Sequence, residues 1–246
     1  MDQNPKRSPD SAISEFLGVV AHRIHTPVAT IKWQVEALLD SMMGELTEEQ
    51  MKSLQRVMKS AESLNEFSRT MLYVYELEKD IPMQNPRSIS LIELFRSVCD
   101  SLEDVQRSKV SHVALASEAR VIAIMADPDI AFMILRTLIE NALQYADQHS
   151  DVKVSATEEQ GGITVTVVDH GMGISSDTFP SIGSKFFRTP EARRKFPDGA
   201  GLNLFIAMNL AERTGGKISF ESEEGRGSRF HWFTPHGSHR RQPWQR

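Results

Sequence analysis

The sequence predicts an α+β protein in two parts: a long antiparallel helical hairpin, then an α/β sandwich. Three observations predict this. Apolar residues recur at steps of three and four through residues 11–79, the period of a packed helix. The stretch from Ile81 to Ser90 carries two prolines and breaks that period. Beyond it, runs that alternate every second residue are interleaved with amphipathic stretches, the pattern of an antiparallel sheet with helices on one face.

The bulk composition narrows the class. Hydrophobic residues make up 40% of the 246, enough for a real core. A formal net charge of −5 argues against a dedicated nucleic-acid binder. The single cysteine, Cys99, excludes an internal disulfide and fits a reducing compartment. No run approaches the roughly 20 apolar residues of a bilayer span. The opening MDQNPKRSPDS lacks an apolar signal core. A cytoplasmic protein is expected, with a disordered leader over 1–10, a helical hairpin over 11–80, a second domain over 81–235 and a basic, disordered tail over 236–246.

The first helix is expected from about Ser11 to about Met42. Ile13, Leu17, Val20, Ile24, Ile31 and Leu38 form its seam, with Pro27 and Gln34 in the gaps. His22 lies off that seam and is expected to face water. Pro27 offers no N–H to the carbonyl of Arg23, which loosens the helix beside the histidine. A solvated imidazole at a loosened turn suits a nucleophile that must move between partners. A surface histidine beside a kink accounts for these residues equally well. Gly44 is a stop signal, and Thr47 with Gln50 is a capping-box pattern for the next helix. That helix runs to about Lys79, with Leu54, Val57, Ala61, Leu64, Met71 and Val74 along one face. A hairpin buries only one side of each helix, so the wide stripe predicts a homodimer whose hairpins form a four-helix bundle.

In the second part a helix is expected over about 91–108 and a strand over Val121 to Met125. Asp127-Pro128 supplies an N-cap and an N1 proline for a helix to about Tyr145. Val152 to Thr157 and Ile163 to Val168 form a hairpin. A last helix, about Leu202 to Arg213, precedes a closing hairpin of Lys217 to Ser222 and Ser228 to Phe233.

Three groups here bear on chemistry. Glu140-Asn141 and Gln144-Tyr145 punctuate an amphipathic helix, where an asparagine is ordinarily just solvent-facing. Asp169-His170-Gly171-Met172-Gly173 follows a strand, where a carboxylate can accept from an amine and glycines let backbone approach a flat ring. Gly199-Ala200-Gly201-Leu202-Asn203-Leu204 opens a helix, the arrangement of a phosphate cradle. Between the last two lie Lys185, Arg188, Arg193, Arg194 and Lys195, which read alone as a solvated basic loop. Each group by itself is a weak signal.

In this order, behind a histidine-bearing hairpin, they resemble the sensor histidine kinases of two-component systems. HRIHTPV is similar to that family's phosphoacceptor box, IENALQY to its asparagine box, DHGMG to its first glycine box, KFFR to its phenylalanine-rich box and GAGLNL to its second glycine box. GRGSRF resembles the family's closing strand motif. The resemblance covers about residues 11–235. It implies a dimerisation and phosphotransfer hairpin followed by a Bergerat-type ATP-binding domain. Asn141 would help hold Mg²⁺ at the phosphates and Tyr145 would lie against the nucleotide. Asp169 would accept from the adenine amino group, with Gly171 and Gly173 shaping that wall. Gly199, Gly201 and Leu202 would bring lid backbone to the triphosphate, and Arg188 would add charge there. His22 would attack the γ-phosphate of ATP and pass the phosphoryl group to an aspartate of a response regulator. Thr26, one helical turn on, would orient water for phosphatase action on that regulator.

The sequence departs from the family pattern in places. Arg23 stands where an acidic residue is usual and cannot accept a proton. His25 replaces an arginine, Thr137 an asparagine, Gln144 a lysine or arginine, and Asn203 a glycine. These departures keep two alternatives in view: a degenerate ATP-binding scaffold or phosphatase that does not autophosphorylate efficiently, and an ATPase of the wider Bergerat superfamily.

Overall fold

The structure, a computed structural model, describes residues 9–40, 44–78, 85–109, 111–116, 118–119, 122–197 and 199–236; within the hairpin, the side chains of 9–19, 21–22, 25, 59, 63, 66–67 and 69–78 lie outside the description. Residues 1–8 of the leader expected over 1–10, residues 237–246 of the tail expected over 236–246, and the side chain of His22, expected to face water, therefore fall outside it; residues 9 and 10 of the expected leader are helical. The chain forms two compact units, Met1–Pro82 and Met83–Arg246.

The first unit is a pair of 31-residue helices, α1 (Pro9–Leu39) and α2 (Glu48–Glu78). The capping box forms as the spacing predicts. Gln50 N–H donates to Thr47 Oγ1 at 3.2 Å, and Thr47 N–H donates to Gln50 Oε1 at 2.9 Å. Helix α1 continues through Pro27. Lys32 reaches Glu62 across the pair at 3.5 Å. The expected seam needs correction. Among the described side chains of the hairpin, the deepest apolar ones are Val28, Val35 and Ala61, 2%, 6% and 6% exposed, with Ser68 of α2 also fully buried, whereas Ile31 is 42% exposed. At about 100° per residue, Ile24, Ile31 and Leu38 lie on a flank roughly 40–80° round from Val28.

The second unit opens with β1 (Arg87–Ser90), which pairs antiparallel with β3 (Ala123–Ala126) in a two-stranded sheet. The helix expected over 91–108 is two helices, α3 (Leu91–Ser101) and α4 (Glu103–Lys109). At the break, Ser101 Oγ donates to Val98 O and Gln106 Nε2 to Cys99 O, side-chain bonds that compete with helix continuation. Helix α5 (Pro128–Tyr145) starts as predicted: Asp127 accepts from the N–H groups of Asp129 and Ile130. The carboxylate's second oxygen accepts from Asn85 N–H at 2.8 Å.

The main sheet has five strands in the order β2-β4-β5-β7-β6, where β2 is Val113–Leu115, β4 Val152–Glu159, β5 Gly162–Asp169, β6 Lys217–Glu223 and β7 Gly227–Pro235. It is not purely antiparallel, because β2 runs parallel to β4. The register sets Val165 against Trp232 and Val167 against Phe230, so one face is apolar. Helix α5 packs on β4 and β5, and α7 (Asn203–Arg213) on β6 and β7. Between β5 and α7 the chain forms a 3-10 turn, Ser176–Ser181, and the short helix α6 (Pro190–Lys195).

Candidate functional site

A cavity of about 170 Å³ opens between the α5 C-terminal half, the end of β5 and the segment 182–205. That is below the ~300–1,000 Å³ of an ordinary ligand pocket. Helix α5 contributes Asn141, Gln144 and Tyr145, which share a face at spacings of three and four. The β5 end contributes Asp169, Met172 and Gly173; Gly199, Ala200, Gly201 and Asn203 close the far side. The three sequence groups thus converge on one space.

Asp169 sets the chemistry of the floor. It is 5% exposed, and its Oδ1 is buried with no hydrogen-bond partner. Burial pushes its carboxyl up to about 6, against the pull of N–H groups from Ser228 and Gly171. A buried acceptor without a donor is costly unless a ligand supplies one. An amino group on a flat, partly apolar ligand fits that need.

The loop carrying Asp169 is held tightly. Ile174 N–H donates to Ser222 Oγ at 2.9 Å, tying it to β6. Gly173 has φ +63, and a Cβ there would stand 2.0 Å from Glu223 O. Gly171 differs from expectation. It does not line the cavity but bridges to Ala146, where a Cβ would stand 2.1 Å from Tyr145 O. It is small because α5 ends against it.

Leu202 also differs. It is fully buried and off the cavity wall, because it anchors the start of α7 in the core. Arg188 is on the wall, but its terminal N–H donors go to protein carbonyls rather than into the cavity. Of the departures from the family pattern, Thr137 is buried, whereas Gln144 and Asn203 line the cavity. His22 and Thr26 lie in α1, in the other unit, and Thr26 is exposed.

Sequence reasoning missed a cluster at the end of α5. Lys195 Nζ donates to Tyr145 O at 3.3 Å, and Lys109 Nζ to Gln144 O at 3.1 Å. The Phe196 ring meets Tyr145 edge-on at 5.8 Å, with Lys109 5.3 Å from its centroid. Burial, then the neighbouring Lys195 charge, lowers the Lys109 pKa. The basic stretch noted in the sequence was the one signal for this cluster. Lys109 had none, because it comes from α4.

Comparisons with known proteins agree with this layout. Residues 12–79 match the family model "His Kinase A (phospho-acceptor) domain", and 126–238 match "Histidine kinase-, DNA gyrase B-, and HSP90-like ATPase". Sensor histidine kinase ZraS of Escherichia coli is 27% identical over 245 residues, covering 98% of this chain and 50% of ZraS. Circadian input-output histidine kinase CikA of Synechococcus elongatus is 28% identical over 228 residues, covering 92% of this chain and 30% of CikA. The chain therefore spans half or less of these two relatives. Among solved structures, full-length ShkA in complex with AMPPNP has a TM-score of 0.73 at 24% identity, covering 91% of this chain and 46% of ShkA. Acinetobacter baumannii histidine kinase AdeS has a TM-score of 0.59 at 18% identity, covering 87% and 98%. At these identities the structural likeness speaks to the fold.

Proposed function

Since this chain belongs to the sensor histidine kinases of two-component systems and carries their phosphoacceptor and ATPase modules, we propose that it phosphorylates its own His22 from ATP and passes the phosphoryl group to an aspartate of a response regulator. The observation that carries the nucleotide half is the unpartnered, buried Oδ1 of Asp169, which fits the exocyclic amine of adenine. Tyr145 and Met172 offer apolar surface to the ring, and Gly199 and Gly201 let backbone N–H groups approach the phosphates. Gly171 and Leu202 act behind this wall, through packing.

Asn141 is the residue we assign to a Mg²⁺ ion arriving with the triphosphate. Among the described residues no group of three His, Cys, Asp or Glu could hold a metal ion, so phosphate oxygens and water would supply most of its ligands. Bound there, the ion would neutralise charge on the transferring group.

In the reaction, a neutral His22 nitrogen forms a bond to the γ-phosphorus as the bond to the β–γ bridging oxygen breaks, and ADP leaves. Arg23 cannot take the imidazole proton and is exposed, so water takes it. Thr26, exposed one turn from His22, is the residue we assign to orienting water for hydrolysis of the regulator's acyl phosphate. Homodimerisation through the hairpin is supported by the apolar exposure of Ile31, Val57 and Leu64. Among the described residues no helix is long and apolar enough to cross a membrane, and we place this part of the protein in the cytoplasm, where ATP is. The unit boundary falls, on this reading, within 81–90.

The test is incubation with [γ-³²P]ATP. Wild type is expected to take up acid-labile, alkali-stable label, and His22→Ala none. Equal labelling of both removes His22 from the mechanism. Nucleotide binding without any label moves the reading to the non-phosphorylating scaffold.

A further inference from the structure

Arg188 immediately precedes the cap of α6 and faces the cavity, the position from which a cation could grip a phosphate. Its hydrogen bonds go elsewhere. Nη1 donates to Pro197 O at 3.2 Å and Gly199 O at 2.9 Å, and Nη2 donates to Ala192 O at 2.9 Å and to Phe196 O. A guanidinium has five N–H donors in a rigid fork. Both terminal nitrogens are thus committed to carbonyls of the segment that follows.

Helix α6 has only six residues, Pro190–Lys195. Ala192 O accepts from Phe196 N–H at 3.0 Å as well as from Arg188, and the carbonyls of Phe196, Pro197 and Gly199 lie beyond the helix end. Thr189 Oγ1 caps its N-terminus by accepting from Ala192 N–H at 3.2 Å. At the other end Arg188 adds a second donor to Ala192 O and continues past the helix to Phe196, Pro197 and Gly199. One side chain therefore ties residues 192, 196, 197 and 199 back to 188.

An independent feature points the same way. A Cβ on Gly199 would stand 2.8 Å from Arg188 Cζ and 3.0 Å from Nη2. Gly199 is not in the left-handed region, so backbone conformation does not demand glycine there. A Cβ there would instead push the guanidinium, the far end of a flexible side chain, off its carbonyl bonds. Gly201 has a different cause: its φ is +69, and a Cβ there would first meet Phe187 O at 2.8 Å.

We infer that Arg188 is a positioning residue: its guanidinium holds Ala192, Phe196, Pro197 and Gly199 in place at the cavity wall, and it does not contact the phosphates while those bonds persist. Its charge stays on the cavity wall and still attracts an anion at range. This rests on reading the cavity as a nucleotide site, but the fold of the segment can be tested without nucleotide.

The experiment is hydrogen exchange, followed by mass spectrometry, of peptides spanning 189–199 in the nucleotide-free full chain, with AMPPNP titration alongside. Arg188→Ala, Arg188→Lys and Gly199→Ala are compared with wild type. Lysine keeps the charge but cannot span four carbonyls. Gly199→Ala keeps Arg188 and displaces its guanidinium. All three are expected to speed exchange in this segment by about tenfold or more, as local order is lost. Peptides from β4 and β5 should exchange as in wild type, which shows that the domain is folded. The AMPPNP concentration for half-saturation should rise in all three. The inference is overturned if exchange without nucleotide is unchanged in Arg188→Ala, if Arg188→Lys behaves as wild type in both readouts, or if Gly199→Ala leaves exchange unaltered. If wild type binds no AMPPNP, the nucleotide reading falls, while the exchange data still decide what Arg188 does.

Discussion

Asp169 shows what a single residue costs and contributes. Its folded-state pKa, raised by burial from 3.8 to about 6, means that ionising it works against the fold. The stability its neutral form allows is fully present below about pH 3.8 and lost as pH rises through about 6. Nucleotide-free Asp169→Asn, free of that penalty, is expected to be more stable than wild type at pH 7.5 by up to about 3 kcal/mol. The gain should shrink to nothing near pH 4. Urea denaturation across pH checks both. The same substitution removes an ionised acceptor, so adenine nucleotide affinity should fall about tenfold or more. In wild type, affinity should fall as pH drops below about 6. A site poised for an amine is less stable when empty.

At the scale of elements, the hairpin depends on local chemistry at its turn. The reciprocal Thr47 and Gln50 bonds satisfy two N–H groups at the start of α2. Thr47→Ala removes the hydroxyl acceptor at an exposed position and should destabilise the helical unit by about 1 kcal/mol. Thr47→Ser should restore most of it. Thermal melting followed at 222 nm reads both. Such elements were legible in the sequence because their causes are neighbours in the chain: Asp127 and Pro128 start α5, and hairpins β4–β5 and β6–β7 close over short turns. The break at Leu102 was not legible, because Ser101 and Gln106 take backbone carbonyls only once the helix has turned. Nor was β2, whose three residues pair parallel with the distant β4.

At the scale of the whole molecule, the apolar flank on the hairpin fits the proposed homodimer. Val28, Val35 and Ala61 satisfy packing within one chain and leave Ile31, Val57 and Leu64 each more than 40% exposed. The double variant Ile31→Glu/Leu64→Glu would bury carboxylates in that contact. It should raise the dimer dissociation constant by about two orders of magnitude or more. Sedimentation velocity over a concentration series checks this, and an unchanged profile would place the self-contact elsewhere. Of the expected seam, Ile24, Ile31 and Leu38 lie on α1 to one side of the contact within the hairpin, and the side chains of Ile13 and Leu17 lie outside the description.

By itself the sequence determined the long helices, the capped starts, the two hairpins and the order of groups that meet at one cavity. Each follows from spacing or from residues a few positions apart. The tertiary structure alone decided the destinations of side chains: Asp169 with an unanswered oxygen, Gly171 against the end of α5, Leu202 in the core, and Arg188 turned to its own segment's carbonyls. Residue type states what a group can bond to. Which partner it meets depends on atoms brought in from distant parts of the chain, and on the cost of leaving any of them buried and unpaired.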